Sequence, residues 1–171
     1  MTTPCERSYE TSLLQRSKFT LTFSRLPAMS FFLKKCNLPG ISSPNTTQNT
    51  AFIPFPVIGD QALFESFNCE FMIPSDLRPF IEIYNWIKGI CRITGFKDYN
   101  KMKNLSQEHS AYSDAILTIN SNLNTPKLRV LFYNVFPISL SGIQFNVEST
   151  ADDILNCICE FKYAYYDIEI I

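Results

Sequence analysis

Glycine is scarce in this chain, with five in 171 residues, and the scarcity removes several chemistries at once. There is no glycine-rich loop to cradle a phosphate and no Gly-x-Ser-x-Gly turn to present a nucleophile. Histidine is scarcer still. The single imidazole, His109, stands beside Glu108 in a polar stretch with no other partner at ligand spacing, so it reads as a solvated side chain rather than a catalytic base. Charged residues make up only 18% of the chain and nearly cancel to −1. No run of one sign supplies the basic stripe that a duplex-binding surface needs, so sequence-specific nucleic-acid binding is not expected. No apolar run approaches the ~18 to 20 residues that span a bilayer, and Met1 to Arg7 lacks the apolar core of a secretion signal. The expectation is a protein made and kept in a cytoplasm, away from membranes.

Six cysteines are present, Cys5, Cys36, Cys69, Cys91, Cys157 and Cys159. In a cytoplasm they are expected to stay reduced, and four of them fall in apolar patterns where a thiol behaves as a small hydrophobe. Cys157 and Cys159 point two sulfurs to one strand face, but a tetrahedral metal site needs two more ligands and no second pair exists. Asp152-Asp153 and Asp167/Glu169 are close carboxylate pairs whose side chains diverge, so they read as solvated or inter-subunit charges. Asn45-Thr46-Thr47 and Asn104-Leu105-Ser106 match glycosylation acceptors, which mean nothing without secretion. No catalytic, cofactor-binding or metal-binding residue is expected, and an enzyme is disfavoured.

Aromatic residues are abundant instead. Fifteen Phe and eight Tyr, within a 46% hydrophobic content, exceed what one domain of this length usually hides, which points to contacts between copies. The length suits one domain, taken as residues 18–171 behind an N-terminal arm, 1–17.

The stretch from Gly59 to Cys91 organises the rest. Leu63 to Ile73 alternates as a strand, with Phe67, Cys69, Phe71 and Ile73 on one face. Ser75 or Asp76 can cap a helix from Leu77 to Cys91, whose first turn tolerates Pro79. Its core stripe is read as Leu77, Phe80, Ile81, Tyr84, Ile87, Ile90 and Cys91. Ile83 and Trp86 fall off that stripe, either broadening the core face or touching another subunit.

Elsewhere the chain reads as short strands. Lys18 to Phe23 alternates, and Met29 to Cys36 is taken as a second strand. Leu38-Pro39-Gly40-Ile41 makes a sharp corner. Ser42 to Thr50 has no apolar member and reads as a surface loop or an extended hairpin tip. Phe52, Ile53, Phe55, Val57 and Ile58 follow, broken by Pro54 and Pro56, as an edge strand or one whose partner lies on another chain. Gly95 to Tyr112 is a polar loop, Ala115 to Asn120 and Leu128 to Phe132 a hairpin, and Asn134 to Gly142 a corner leading to Phe145 and Val147. Cys157 to Tyr166 is the last strand. The fold class is therefore mainly β, α+β in detail, with one flanking helix.

The order of these features, Asn37-Leu38-Pro39-Gly40-Ile41, a polar hairpin tip, Ile58-Gly59-Asp60 before a Phe-rich strand, a helix with Asn85-Trp86-Ile87, Val135-Phe136-Pro137-Ile138-Ser139-Leu140-Ser141 and a terminal Phe-x-Tyr strand, resembles the tail tube proteins of contractile-tailed, T4-like bacteriophages. The likeness runs from Lys18 to Ile168, without the loop Phe96 to Tyr112 and the six cysteines, which are not part of that family's pattern. It implies two packed antiparallel sheets with one helix, a β-sandwich or barrel, six copies per ring, and rings stacked around a channel for the genome, with no catalysis or cofactor. It also implies a virion tail component assembled in the host cytoplasm. Its partners would be itself, tail sheath, baseplate or neck proteins and a tape-measure protein, with DNA passing through the lumen unread. The main tube and a neck, tube-initiating or baseplate component remain alternatives. Ser42 to Pro56 would reach a neighbour, and the arm and the Phe96 to Tyr112 loop would contact other rings or sheath. The expected subunit interface is Phe52, Phe55, Val57, Ile83 and Trp86. A different class, a small cytosolic β-sandwich that holds a ligand or peptide in an aromatic groove, also fits the composition.

Overall fold

A computed structural model describes residues 14–93, 95–97, 99–100, 111–146 and 154–171. Arm residues 1–13, most of the expected loop with Asn104 and His109, Val147 and Asp152-Asp153 lie outside the described residues.

Among the described residues, besides helical turns at 96–97 and 99–100, the elements are β1 (Phe19–Phe23), α1 (Pro27–Phe32), β2 (Leu33–Cys36), β3 (Ile41–Ser42), β4 (Asn45–Gln48), β5 (Phe55–Ile58), β6 (Leu63–Phe64), β7 (Phe67–Met72), α2 (Arg78–Cys91), β8 (Ser113–Asn120), β9 (Pro126–Leu140), β10 (Asn156–Lys162) and β11 (Tyr165–Ile170). The main sheet is antiparallel and runs β1-β8-β9-β10-β7-β2, with β11 also on β9.

This sheet folds over on itself along β9. The first part of β9, Leu128 to Tyr133, pairs with β8 on one side and β11 on the other, whereas Phe136 to Leu140 pairs with β10. The bend lies at Asn134, whose φ of 56° is left-handed. Burial switches there from Val130 and Phe132 to Val135 and Pro137, the mark of a bulge that re-aims the strand. The Asn134 N–H donates to the Asp114 carboxylate at 3.1 Å, which holds the kink. A strand that passes from one layer to the next through a bulge is how sandwiches turn a corner. The expected corner from Asn134 to Gly142 is thus a strand for most of its length, and the expected last strand is two, β10 and β11.

Ring contacts across the fold show the closure. In a flat sheet β1 and β10 would be about 14 Å apart, at three strand spacings, yet the Phe23 and Phe161 ring centroids are 5.1 Å apart. The core lies between the two layers. Leu21, Phe23, Leu117, Val130 and Phe132 come from the first layer, and Phe67, Phe71, Cys157, Cys159 and Phe161 from the second. Each such aliphatic or aromatic side chain contributes about 1.5–3 kcal/mol by leaving water. The mainly β class with one principal helix therefore holds.

Two further sequence expectations change. Met29 to Cys36 is not one strand. Pro27 occupies the first turn of α1, where its missing N–H costs nothing, and only Leu33 onward pairs with β7. Short apolar runs fit either helix or strand, and here the proline decides. The phase of α2 also differs. Pro79, Ile83, Trp86 and Gly89 are buried, whereas Ile81, Tyr84 and Cys91 are exposed. Arg78, Glu82, Asn85 and Lys88 make one polar stripe along α2, and on the broad apolar remainder the burial centres on Ile83 and Trp86 rather than on Ile81 and Tyr84. The indole settles it: Trp86 Nε1 donates to the Ala111 carbonyl at 2.9 Å, the Arg25 guanidinium lies 5.1 Å over the ring, and Phe161 packs 6.3 Å away. The helix start differs as well: the N-cap is Leu77, left-handed at φ 53° and without a side-chain cap bond, while Asp76, one residue outside, accepts the Arg78 N–H at 3.2 Å.

Candidate subunit interface

Residues Ile41 to Phe64 form a two-stranded arm outside the main sheet. β3 pairs with β6 at its root, and β4 pairs with β5 further out, Asn45 opposite Ile58 through Gln48 opposite Phe55. Every residue of β4 and β5 is exposed. The ladder is polar on β4 and apolar on β5, and Asp60 is the only charge between Ile41 and Phe64.

The root of the arm is clamped to the body. Asn37 uses both ends of its amide: Nδ2 donates to the Ser66 carbonyl at 3.2 Å, and Oδ1 accepts the Asn68 N–H at 2.6 Å. The Glu65 N–H donates to the Gly40 carbonyl at 3.1 Å, and the Gly40 N–H donates back to the Glu65 carboxylate at 3.2 Å. Two tyrosines of the terminal run reach the same place. Tyr163 Oη donates to the Glu65 carbonyl at 3.0 Å and Tyr166 Oη to the Pro39 carbonyl at 3.3 Å. Both rings meet Phe64 edge-on. Further out, the Gly59 N–H donates to the Pro44 carbonyl at 2.9 Å. A Cβ at Gly59 would lie 2.4 Å from that oxygen, so only glycine fits.

The same bond shows how Pro56 is accommodated. Because Gly59 and Pro44 make a hydrogen-bonded rung, Pro56 and Thr47, three rungs away, make a non-hydrogen-bonded one. The missing N–H of Pro56 would point outward, so the ladder loses nothing and the outer edge of β5 loses a donor.

The five residues expected at an interface divide sharply. Phe52, Phe55 and Val57 all lie on the arm, with Phe52 95% exposed at its tip. Ile83 and Trp86 do not join them, being 0% and 2% exposed within the chain's own core. The apolar surface that α2 does present is Ile81 and Tyr84. On the arm the exposed set extends to Ile41, Ile53, Ile58 and Leu63, which the proline-broken pattern already contained in part. Such a concentration of apolar side chains with a single charge, on an element that adds only Phe64 to the core, suits burial against another protein surface. Among the described residues no group of His, Cys, Asp and Glu is placed to hold a metal ion, and no helix is long and apolar enough to cross a membrane.

Comparison with known proteins agrees with this architecture. The chain is similar to the solved cap of the anti-feeding prophage, a tube-terminating cap, with a TM-score of 0.68 and 13% identity over 100% of both chains. It is also similar to a chain of the PVC sheath–tube complex of an extracellular contractile injection system in its extended state, with a TM-score of 0.65 and 13% identity over 99% of this chain and 100% of that one. A third likeness is to the PVC sheath/tube terminator, with a TM-score of 0.63 and 12% identity over 92% and 96%. At these identities the likeness concerns the fold. No curated protein matches the chain significantly. The family model described as phage tail tube protein matches residues 4–169, nearly the whole sequence, and the chain belongs to that family.

Proposed function

We propose that this tail tube subunit closes with five copies of itself into a ring, that the rings stack into a channel for genome passage, and that the arm from Ile41 to Phe64 engages a neighbouring copy. The observation that carries this reading is the arm itself, a ladder polar on β4 and apolar on β5, clamped at its root and exposed along its length. In this reading residues 18–171 act as one domain with residues 1–17 as an arm. The protein works by assembly, without catalysis or cofactor, inside a virion tail put together in the host cytoplasm. Sheath, baseplate or neck, and tape-measure proteins are its partners. The solved relatives with a sheath–tube complex and a tube terminator in their descriptions support that setting. The sandwich reading with an aromatic ligand groove gains no such support, because Phe23, Phe67, Phe132 and Phe161 fill the core.

Light scattering and negative-stain microscopy of the full chain test the proposal. Rings or tubes are expected for the wild type. A Phe52→Ser/Phe55→Asp variant is expected to stay folded, with an unchanged melting temperature, and to remain dissociated. A wild type that stays monomeric at all concentrations, even with tail partners added, would overturn it.

A further inference from the structure

Three thiols stand in a row across the second layer. Cys36 of β2 is opposite Cys69 of β7, and Cys69 is opposite Cys159 of β10. Cys69 and Cys159 are fully buried, Cys36 is partly buried against the same core at the sheet edge, and all three are free.

The two pairs are not equivalent. The Asn37 N–H donates to the Asn68 carbonyl at 3.2 Å, so those residues form a hydrogen-bonded rung and the adjacent Cys36–Cys69 rung is a non-hydrogen-bonded one. At such rungs Cα atoms stand about 4.5 Å apart and the side chains converge, within the ~4.4–6.8 Å that a disulfide spans. Cys69 and Cys159 share the register in which Ile73 N–H donates to Leu155 O at 2.9 Å, which makes theirs the wider kind of rung. Of the three sulfurs, only that of Cys36 belongs to a residue that meets solvent.

We propose that Cys36 and Cys69 are an oxidisable pair that closes a cross-strand disulfide when the assembled protein leaves a reducing cytoplasm and meets a low-molecular-weight disulfide. The bond ties the edge strand β2 to β7. It also encloses the whole arm in a covalent loop, one residue from the Asn37 clamp. β2 is the strand most in need of such a tie, since it lies at the sheet edge and its pairing slips between Leu33 and Lys35.

With glutathione disulfide as the co-reactant the chemistry balances. The Cys36 thiolate attacks one glutathione sulfur, forming a mixed disulfide and releasing one glutathione, which takes up the proton Cys36 lost. The Cys69 thiolate then attacks Cys36 Sγ and expels the second glutathione, which takes up the proton from Cys69. Two protein thiols are oxidised and one glutathione disulfide is reduced to two glutathione molecules. Burial pushes the Cys36 thiol up to about 11 and the Cys69 thiol well above its usual value, so both steps are slow at neutral pH and quicken as pH rises.

The test incubates the full chain with glutathione disulfide at alkaline pH, blocks the remaining thiols under denaturing conditions and maps linked peptides by mass spectrometry. A Cys36–Cys69 link is expected, with a melting temperature raised on the order of 10 °C and restored by reductant. Cys159→Ser is expected to keep both the link and the shift, and Cys36→Ser to lose both. Should Cys36→Ser fail to fold, the wild type with and without reductant and the Cys159→Ser variant carry the result. A Cys69–Cys159 link, a link to Cys5 or Cys91, or Cys36 left as a glutathione adduct would each overturn the proposal. The readout is a bond within one chain, so it is independent of whether rings form.

Discussion

Phe67 of β7 stacks on Phe132 of β9, with ring centroids 4.6 Å apart and planes 25° from parallel. β7 and the first part of β9 belong to opposite layers of the folded-over sheet, so this stack is a direct measure of how firmly the layers close. Either residue replaced by Ala is expected to cost about 3–5 kcal/mol by transfer and cavity terms. The double variant should lose about 0.5–1.5 kcal/mol less than the sum, the coupling of an aromatic pair. Urea denaturation of the four proteins checks this, and strict additivity would mean that the layers close without the stack.

Trp86 and Tyr84 lie two residues apart on α2 with opposite fates. Trp86→Ala removes a buried indole, its bond to Ala111 and the face under Arg25, so a loss of about 3–5 kcal/mol and a markedly lower melting temperature are expected. Tyr84→Ala should change stability by less than about 0.5 kcal/mol, since the side chain is exposed. If Trp86→Ala melted like the wild type and failed only in assembly, the helix would present its indole to a neighbour after all.

Gly59→Ala is expected to open the arm without unfolding the body. Its Cβ would sit 2.4 Å from a backbone oxygen that cannot swing away, which overpacks the root of the β4–β5 ladder by about 1–3 kcal/mol. Amide exchange in residues 45–58 should quicken while the main sheet stays protected. Gly40→Ala meets only the flexible Glu65 carboxylate at 3.1 Å and should have the smaller effect.

Tyr163 ties the terminal run to the arm root, and burial, followed by the neighbouring Tyr166 and Glu65, pushes its phenol up to about 12. The folded chain therefore holds this proton where the unfolded chain, near 10, has lost it. The stability linked to Tyr163 is complete below pH 10 and is lost as pH rises from 10 through 12. Tyr163→Phe should cost about 1 kcal/mol at pH 8 through the bond to the Glu65 carbonyl. The variant should also lose less stability than the wild type between pH 9.5 and 11.5. Parallel slopes in urea titrations across that range would argue against a buried phenol.

The strands were legible wherever side chains alternate strictly, because period two on a half-buried sheet has one physical meaning. Phe67, Cys69 and Phe71 were read on the core face and lie there. The arm was legible only in part: Ser42 to Thr50 was read as a loop or hairpin tip and the proline-broken stretch as an edge strand or one paired with another chain, whereas β4 and β5 pair with each other. The face of α2 was not legible. Arg78, Glu82, Asn85 and Lys88 mark its polar stripe, but where burial centres on the broad apolar remainder is decided by a hydrogen bond to Ala111 and a packed Phe161, both distant in sequence. Nor could alternation reveal the bulge at Asn134, which turns one strand into two layers through a single left-handed residue held by Asp114. By itself, then, the order of residues determined the strictly alternating strands β1, β7 and β8, because period two acts locally. Only the tertiary structure decided how the sheet folds over, which face of the helix is buried and which cysteines stand opposite one another, because those depend on contacts between residues far apart in the chain.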